Sequence, residues 1–254
     1  MQRPAARIER IVRRATSHYK HRVFHDSPYA AMINEPAARL NMVEGQLRTN
    51  KVTDEAVLDG FLTTPRERFV PSHLRGIAYV DDDIPLGDSR VLIEPLVLAR
   101  LLQLAEIGKQ DKVLEIGCAT GYATALLAKL GASVVAVESN PALAVAARGN
   151  LAALNLRNVQ VQEAPLDAGW RAGAPYNVIL VNGGVAEIPA AISDQLAEGG
   201  RLVTVSEGSA GPSEARCGCA VLMTRAEGKL SSRPVFDATV EVLPGFARPP
   251  AFVF

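Results

Sequence analysis

Glu115, Gly117, Gly121 and Glu138 are the residues around which chemistry could be organised. They lie in the stretch VLEIGCATGYATALLAKLGASVVAVESN, residues 113–140. It reads as an apolar strand, a glycine turn, a helical run and a second apolar strand closed by an acid. Glycines without a Cβ let the backbone pass close to a ligand. A strand-terminal acid at the ~20-residue interval after such a turn meets ribose hydroxyls, and a carboxylate can accept from both hydroxyls at once. The strict G-x-G-x-x-G spacing fails, because Ala119 and Tyr122 hold the second and third glycine positions. Glu115 inside the turn would repel a pyrophosphate at short range. It would attract a cationic group.

S-adenosylmethionine combines an ammonium, a sulfonium, a ribose and an adenine. The pattern E-x-G-x-x-x-G followed by a strand-terminal acid therefore suits this cofactor better than NAD. The expected cofactor-binding residues are Glu115, Gly117, Ala119, Gly121, Glu138 and Ser139. Plainer readings exist for each part: a surface carboxylate, an ordinary strand exit, a helix N-terminal charge favoured by the dipole. The ordered set at this spacing argues against them. Loss of Glu138 is expected to weaken cofactor binding by ~1.5–3 kcal/mol, the range for a charge-assisted hydrogen bond. The fold is expected to tolerate that loss.

The elements that must position these residues alternate. Strands are expected at residues 112–116, 133–137, 159–161, 177–181 and 201–205, with helices at 122–130, 141–154 and 189–196. Alternation of this kind predicts a doubly wound, mostly parallel sheet covered by helices on both faces. CAVLMTR and FDATVEVL are expected to add a hairpin at its edge. Residues 34–108 read as a helical lead-in with a substrate loop, and residues 109–254 as the cofactor-binding sheet. Within the lead-in a helical pattern spans 36–63, with Thr53 or Asp54 as N-cap. IAYVDDDIPLGDSR reads as an extended acidic loop, and EPLVLARLLQLAEI as a helix with Pro95 in its first turn.

Composition narrows the classes. The chain has 254 residues, 27 basic and 27 acidic, and 48% are hydrophobic. Seven basic residues (Arg3, Arg7, Arg10, Arg13, Arg14, Lys20, Arg22) crowd the first 31, so the remaining body is mildly acidic. Such a body gives no electrostatic reason to expect nucleic acid. Residues 1–33 read as a dispensable or disordered extension, with Met32 as an alternative start. The extension's Arg-rich character also resembles a transit peptide or a segment touching anionic lipid. Three cysteines make no disulfide framework and fit a reduced, cytoplasmic setting. No apolar run approaches the ~20 residues of a membrane span. Cys217 and Cys219 share a strand face but do not complete a metal site, so no metal is expected and core packing is the reading. Cys118 and Trp170 likewise read as packing residues, and Asp81–Asp83 as a solvated loop.

From residue 41 to about 207 the chain resembles the protein-L-isoaspartate O-methyltransferase family. The carriers are NMVEGQLRTNKVTDEAVLDGFLTTPRERFVP, IAYVDDDIPLG, EPLVLARLLQL, KVLEIGCATGYATALLAKL and AEGGRLV. The resemblance implies a seven-stranded Rossmann-like methyltransferase fold with S-adenosylmethionine as methyl donor. The implied acceptor is the isoaspartyl carboxylate of a damaged protein or peptide, which is methylated for repair. The family's substrate loop carries a hydroxyl residue two before a proline. Here that loop is SRVLIEP, with Ile93 in the hydroxyl position and Glu94 where Gln is usual. Arg90, Ile93 and Glu94 are the substrate-loop candidates, and the Glu94 charge would repel an acceptor carboxylate unless Arg90 neutralises it. The family's G-D-G after the third strand is replaced by Ala164-Pro165-Leu166. Two rival readings keep the fold: a methyltransferase with another acceptor, and a non-catalytic module that binds the same cofactor.

Overall fold

A run that is apolar over one helical face nucleates on whatever it can bury. The lead-in starts with α1, Glu35–Met42, widens through a π turn, Val43–Leu47, and then tightens into a 3-10 turn, Arg48–Asn50. In the computed structural model, which describes residues 34–207 and 218–248, Lys51 then turns left-handed at φ 70° and ends the run. The helical pattern over 36–63 is therefore two helices, with the break set by that backbone reversal. Asp54 caps α2, Glu55–Thr63, accepting from the N–H groups of Ala56 at 2.8 Å and Val57 at 3.1 Å. Met42, Val43, Leu47, Leu58 and Phe61 all point into the core.

The expected acidic loop is more ordered than its composition suggests. Ser72–Ile77 forms a 3-10 turn, and β1, Ile84–Gly87, pairs antiparallel with β2, Arg90–Leu92. Asp88 and Ser89 at the hairpin tip have φ of 50° and 55°. Short polar side chains tolerate this left-handed turn, whose twist matches that of the paired strands. Pro95 opens α3, Pro95–Leu104, at a position where its missing N–H costs nothing.

The α/β body follows as β3 (Lys112–Ile116), α4 (Tyr122–Leu130), β4 (Ser133–Glu138), α5 (Pro141–Ala153), β5 (Val159–Glu163), β6 (Tyr176–Val185), α6 (Ala190–Ser193), β7 (Leu196–Ser206), β8 (Cys219–Ala226) and β9 (Lys229–Asp237). Seven strands form one sheet in the order β5-β4-β3-β6-β7-β8-β9, parallel through β7 and antiparallel for the last two. This is the doubly wound, mostly parallel sheet that the alternation predicts. Central strands such as KVLEI and SVVAVE are buried nearly throughout, as coverage of both faces requires. One core lies beneath the lead-in around Leu58, Phe61, Tyr122 and Leu126. The other gathers Ile116, Val181, Leu202, Leu243 and Phe246.

Several element boundaries differ from expectation, with β5, β6 and β7 all longer than the strands expected there. The helix expected over 189–196 shrinks to Ala190–Ser193, because Leu196 already begins β7. The final strand is KLSSRPVFD, not FDATVEVL. Glu227 and Gly228, at φ 52° and 71°, make a two-residue turn that sends the chain straight back along β8. The Ala238 N–H still donates to the Gly218 carbonyl at 3.0 Å, and the residues after it leave the edge and return over the sheet, where Val242 bridges Gly184.

Connectivity defines where a ligand belongs. From β3 the chain builds outward through β4 to β5, then crosses back to β6 and builds the other way. Ligands of open α/β sheets bind beyond the carboxyl ends of the strands at this reversal. Here it is the crevice between β3 and β6.

Candidate ligand crevice at the strand reversal

The turn after β3 is held from several sides. Gly117 and Cys118 N–H groups donate to the Val137 carbonyl at 2.8 and 3.1 Å. Thr120 Oγ1 donates to the Phe69 carbonyl at 2.6 Å, and Asn150 Nδ2 donates to the Thr120 carbonyl at 3.0 Å. Gly117, Ala119 and Gly121 all have positive φ, 82°, 49° and 93°. At Ala119 that conformation costs about 1–2 kcal/mol. A Cβ at Gly121 would lie 3.3 Å from that of Ala147, so the glycine lets α5 pack on the turn.

Glu138 ends β4 and is completely buried. Its Oε2 accepts from the Ala119 N–H at 2.7 Å. Its Oε1 accepts from the Ser139 and Asn140 N–H groups at 2.9 and 3.0 Å, and from Arg90 Nη1 at 2.6 Å. Arg90 is 3% exposed and donates its other terminal nitrogen to the Gly117 carbonyl at 2.9 Å. The guanidinium therefore spans the glycine turn and the strand-end acid. Its ion pair is with Glu138, and it makes none with Glu94.

Glu115 lies one layer deeper, also with no exposure. Thr124 Oγ1 donates to one of its oxygens at 2.5 Å and Asn182 Nδ2 to the other at 2.9 Å. Burial pushes its carboxyl up to about 7, although both hydrogen bonds favour the charged form. Thr124 and Asn182, which the sequence did not point to, are the side chains that hold the Glu115 carboxylate. Asn182 had only a faint signal, a polar residue at the end of the apolar strand YNVILV.

The substrate-loop candidates diverge. Ile93 is 2% exposed and belongs to the core beneath the lead-in. Its carbonyl accepts from Arg66 Nη2 at 2.7 Å. Arg66, fully buried between the prolines of TPRERFVP, also donates from Nε to the Ala78 carbonyl at 2.7 Å and lies 4.9 Å from the Tyr122 ring centre. It ties the lead-in to the hairpin. Glu94 stands before α3 and donates its N–H to Asp83 Oδ1 at 2.8 Å. Burial, then the neighbouring Asp81, Asp83 and Asp82, push the Glu94 carboxyl up to about 7. Asp83 is half-buried, so the acidic loop is not wholly solvated.

Among the remaining sequence readings, Cys118 is buried, with burial raising its thiol well above the usual range. Cys219 is half-buried where a core position was expected. Cys217, the extension over 1–33 and the final PPAFVF lie outside the described residues. Trp170 packs partly buried against the second core. Among the described residues no group of three His, Cys, Asp or Glu could hold a metal ion, and no helix is long and apolar enough to cross a membrane.

Leu243 is the residue with no sequence signal at all. A Cβ at Gly183 would fall 2.5 Å from its Cγ, and one at Gly117 would fall 3.0 Å from its Cδ2 and 3.1 Å from Arg90 Nη2. The crevice between β3 and β6 thus holds two side chains of the protein itself.

A doubly wound sheet with β8 and β9 antiparallel at one edge, a glycine turn after β3 and an acid closing β4 defines the class: a Rossmann-like methyltransferase sheet. Comparison with known proteins carries this further. The family model described as protein-L-isoaspartate(D-aspartate) O-methyltransferase matches residues 37–210. A protein-L-isoaspartate O-methyltransferase of Methanoculleus marisnigri is 39% identical over 197 residues, covering 78% of this chain and 87% of the relative. Protein-L-isoaspartate O-methyltransferase 1 of Syntrophobacter fumaroxidans is 41% identical over 172 residues, covering 68% of this chain and 80% of the relative. A solved protein-L-isoaspartate O-methyltransferase superposes with a TM-score of 0.70 at 26% identity, covering 82% of this chain and 66% of that one. A Plasmodium falciparum structure described as a β-aspartate methyltransferase in complex with S-adenosyl-L-homocysteine shares the fold, with a TM-score of 0.69 at 18% identity and coverage of 84% and 99%. The chain belongs to the protein-L-isoaspartate(D-aspartate) O-methyltransferase family, whose methyl donor is S-adenosylmethionine.

Proposed function

We propose that this chain methylates the side-chain carboxylate of isoaspartyl residues in damaged proteins, with S-adenosylmethionine held in the crevice between β3 and β6. The observation that carries the reading is Glu138: a buried carboxylate closing β4 beside the glycine turn, in a chain matched to the family over residues 37–210. The donor set suits the cofactor. Glu138 would accept from the ribose hydroxyls, with Ser139 beside it. Gly117, Ala119 and Gly121 would line the methionine half, and Glu115 would add negative potential behind its ammonium. These groups fit once Arg90 and Leu243 draw back from the space they share with the ligand.

The cofactor, when bound, supplies an electrophilic methyl group on sulfur. An isoaspartyl carboxylate is ionised at neutral pH and needs no base to attack it. The chain's task is to align the acceptor and exclude water. Buried Tyr122 and Phe69 pack edge to face beneath the turn, with ring centres 5.4 Å apart, and keep it rigid.

A second reading, transfer to a different acceptor, is favoured by the surroundings of Glu94. Asp81, Asp82, Asp83 and Glu94 give this side of the molecule a negative potential that suits a cationic or neutral acceptor better than a carboxylate. Methyl-labelled S-adenosylmethionine incubated with an isoaspartyl peptide and with its normal aspartyl twin separates the readings. Base-labile label on the isoaspartyl peptide alone supports repair methylation. Label on neither peptide rules it out.

A further inference from the structure

Gly184 of β6 is engaged at both edges. One edge belongs to β7, through the pair Gly184 with Val205. The other is the edge that β3 leaves after Ile116 pairs with Val181. There the returning segment enters: the Gly184 N–H donates to the Glu241 carbonyl, and the Leu243 N–H donates to the Gly184 carbonyl, both at 2.9 Å. The Ala186 N–H donates to the Phe246 carbonyl at 3.0 Å. Residues 240–246 thus form a strap that continues the line of β3 beyond its glycine turn. That is the place where such a sheet takes its ligand.

We propose that Arg90 and Leu243 form a displaceable internal cap on the cofactor crevice, so that the capped arrangement and the adenosyl-cofactor complex exclude each other. The proposal rests on the cofactor reading above and adds its regulation. Two independent parts of the fold converge on it. Arg90 arrives from the β1–β2 hairpin and donates to Glu138 Oε1, on the carboxylate that the cofactor reading gives to the ribose hydroxyls. Leu243 arrives from the C-terminal strap and fills the space between Gly117 and Gly183. Both are nearly inaccessible to solvent, at 3% exposure. What stays open is a cavity of about 350 Å³ beside them, lined by Asp88, Arg90, Ser139, Asn140, Pro141 and Pro244. It reaches Ser139 but not the buried Glu138, so the strand-end acid and the space between Gly117 and Gly183 are both covered. Both cap residues sit next to turns with positive φ, Asp88 and Ser89 for Arg90 and Gly245 for Leu243, which provide places to hinge. Only the open fraction of molecules binds the cofactor, so a change that loosens the cap without removing a cofactor-binding group raises affinity.

The test uses the full chain and S-adenosylhomocysteine as probe. Amide hydrogen exchange is followed at Gly184 and Leu243 with and without saturating probe, and affinity is measured by calorimetry for the parent, Leu243→Ala and Arg90→Lys. Lysine keeps a positive charge beside Glu138 but cannot also bridge to the Gly117 carbonyl in the manner of a guanidinium. That variant therefore tests the cap even if Leu243→Ala fails to fold. The expected result is loss of protection at both amides on binding, and at least tenfold tighter binding in the variants. Binding by the parent with both amides still protected, and no gain in the variants, overturns the cap while leaving the cofactor reading intact. No binding by the parent or by any folded variant overturns both.

Discussion

A carboxylate buried at a strand end must have its charge answered, and Glu138 is answered by Arg90 and by the N–H groups of Ala119, Ser139 and Asn140. Removing one partner of such a buried pair costs about 3–5 kcal/mol, because the other charge is left without compensation. Glu138→Ala is therefore expected to lower stability by about that amount in urea denaturation, besides weakening the cofactor. This revises the expectation that the fold would tolerate the change. Glu115 behaves in the opposite sense. Its folded pKa is pushed up to about 7 from 4.5, so its contribution to stability is fully present below about 4.5 and lost as pH rises through about 7. The loss is of order 3 kcal/mol at ~1.4 kcal/mol per unit. In Glu115→Gln the new amide can donate to Asn182 Oδ1, which has no partner at present, if the Asn182 amide flips. Urea midpoints measured from pH 4 to 8 should slope less steeply downward in this variant than in the parent. Parallel pH profiles would show that Glu115 does not titrate in this range.

At the scale of elements, the segment joining β2 to α3 decides what the acceptor side can do. Restoring a hydroxyl at position 93 looks from the sequence like repair of a missing donor. The side chain instead belongs to the core, so Ile93→Ser removes buried apolar volume at about 2–4 kcal/mol and buries a hydroxyl. The double variant Ile93→Ser, Glu94→Gln is expected to lose stability without gaining isoaspartyl methylation beyond Glu94→Gln alone. Glu94→Gln removes one charge from the acidic group near α3. It should raise kcat/KM for an isoaspartyl peptide above neutral pH by up to about tenfold, equivalent to about 1.4 kcal/mol. Because the carboxyl is pushed up to about 7, the gain should shrink as pH falls through that value. A gain that is equal at low and high pH would mean that the charge is not the cause.

At the scale of the whole molecule, the described residues from Glu35 onward make one compact unit, with the lead-in, sheet and strap sharing two cores. A chain beginning at Met32 is expected to fold and to bind S-adenosylhomocysteine as the full chain does, with the same melting temperature. The family match begins at residue 37, and residues 1–31 differ in charge from the body. A large drop in melting temperature on truncation would make the extension structural.

The order of elements, the parallel sheet and the positions of Glu115, Gly117, Gly121 and Glu138 were all determined by local sequence. Hydrophobic period, turn glycines and strand-end acids act over a few residues, and alternating strand and helix admits few topologies. Asp54 as a cap and Pro95 as a helix opener were legible for the same reason. Only the tertiary structure decided that Arg90 pairs with Glu138, that Ile93 faces the core and that Leu243 lies on Gly117 and Gly183. Each of these joins parts of the chain far apart in sequence, and a side chain's partner across such a distance depends on packing that no local pattern encodes. The closing strand shows the boundary between the two. Local pattern placed a strand at FDATVEVL, but the two-residue turn at Glu227-Gly228 completed the hairpin earlier, so Ala238 and Val240 joined the core beneath the lead-in and Leu243 went to the crevice instead.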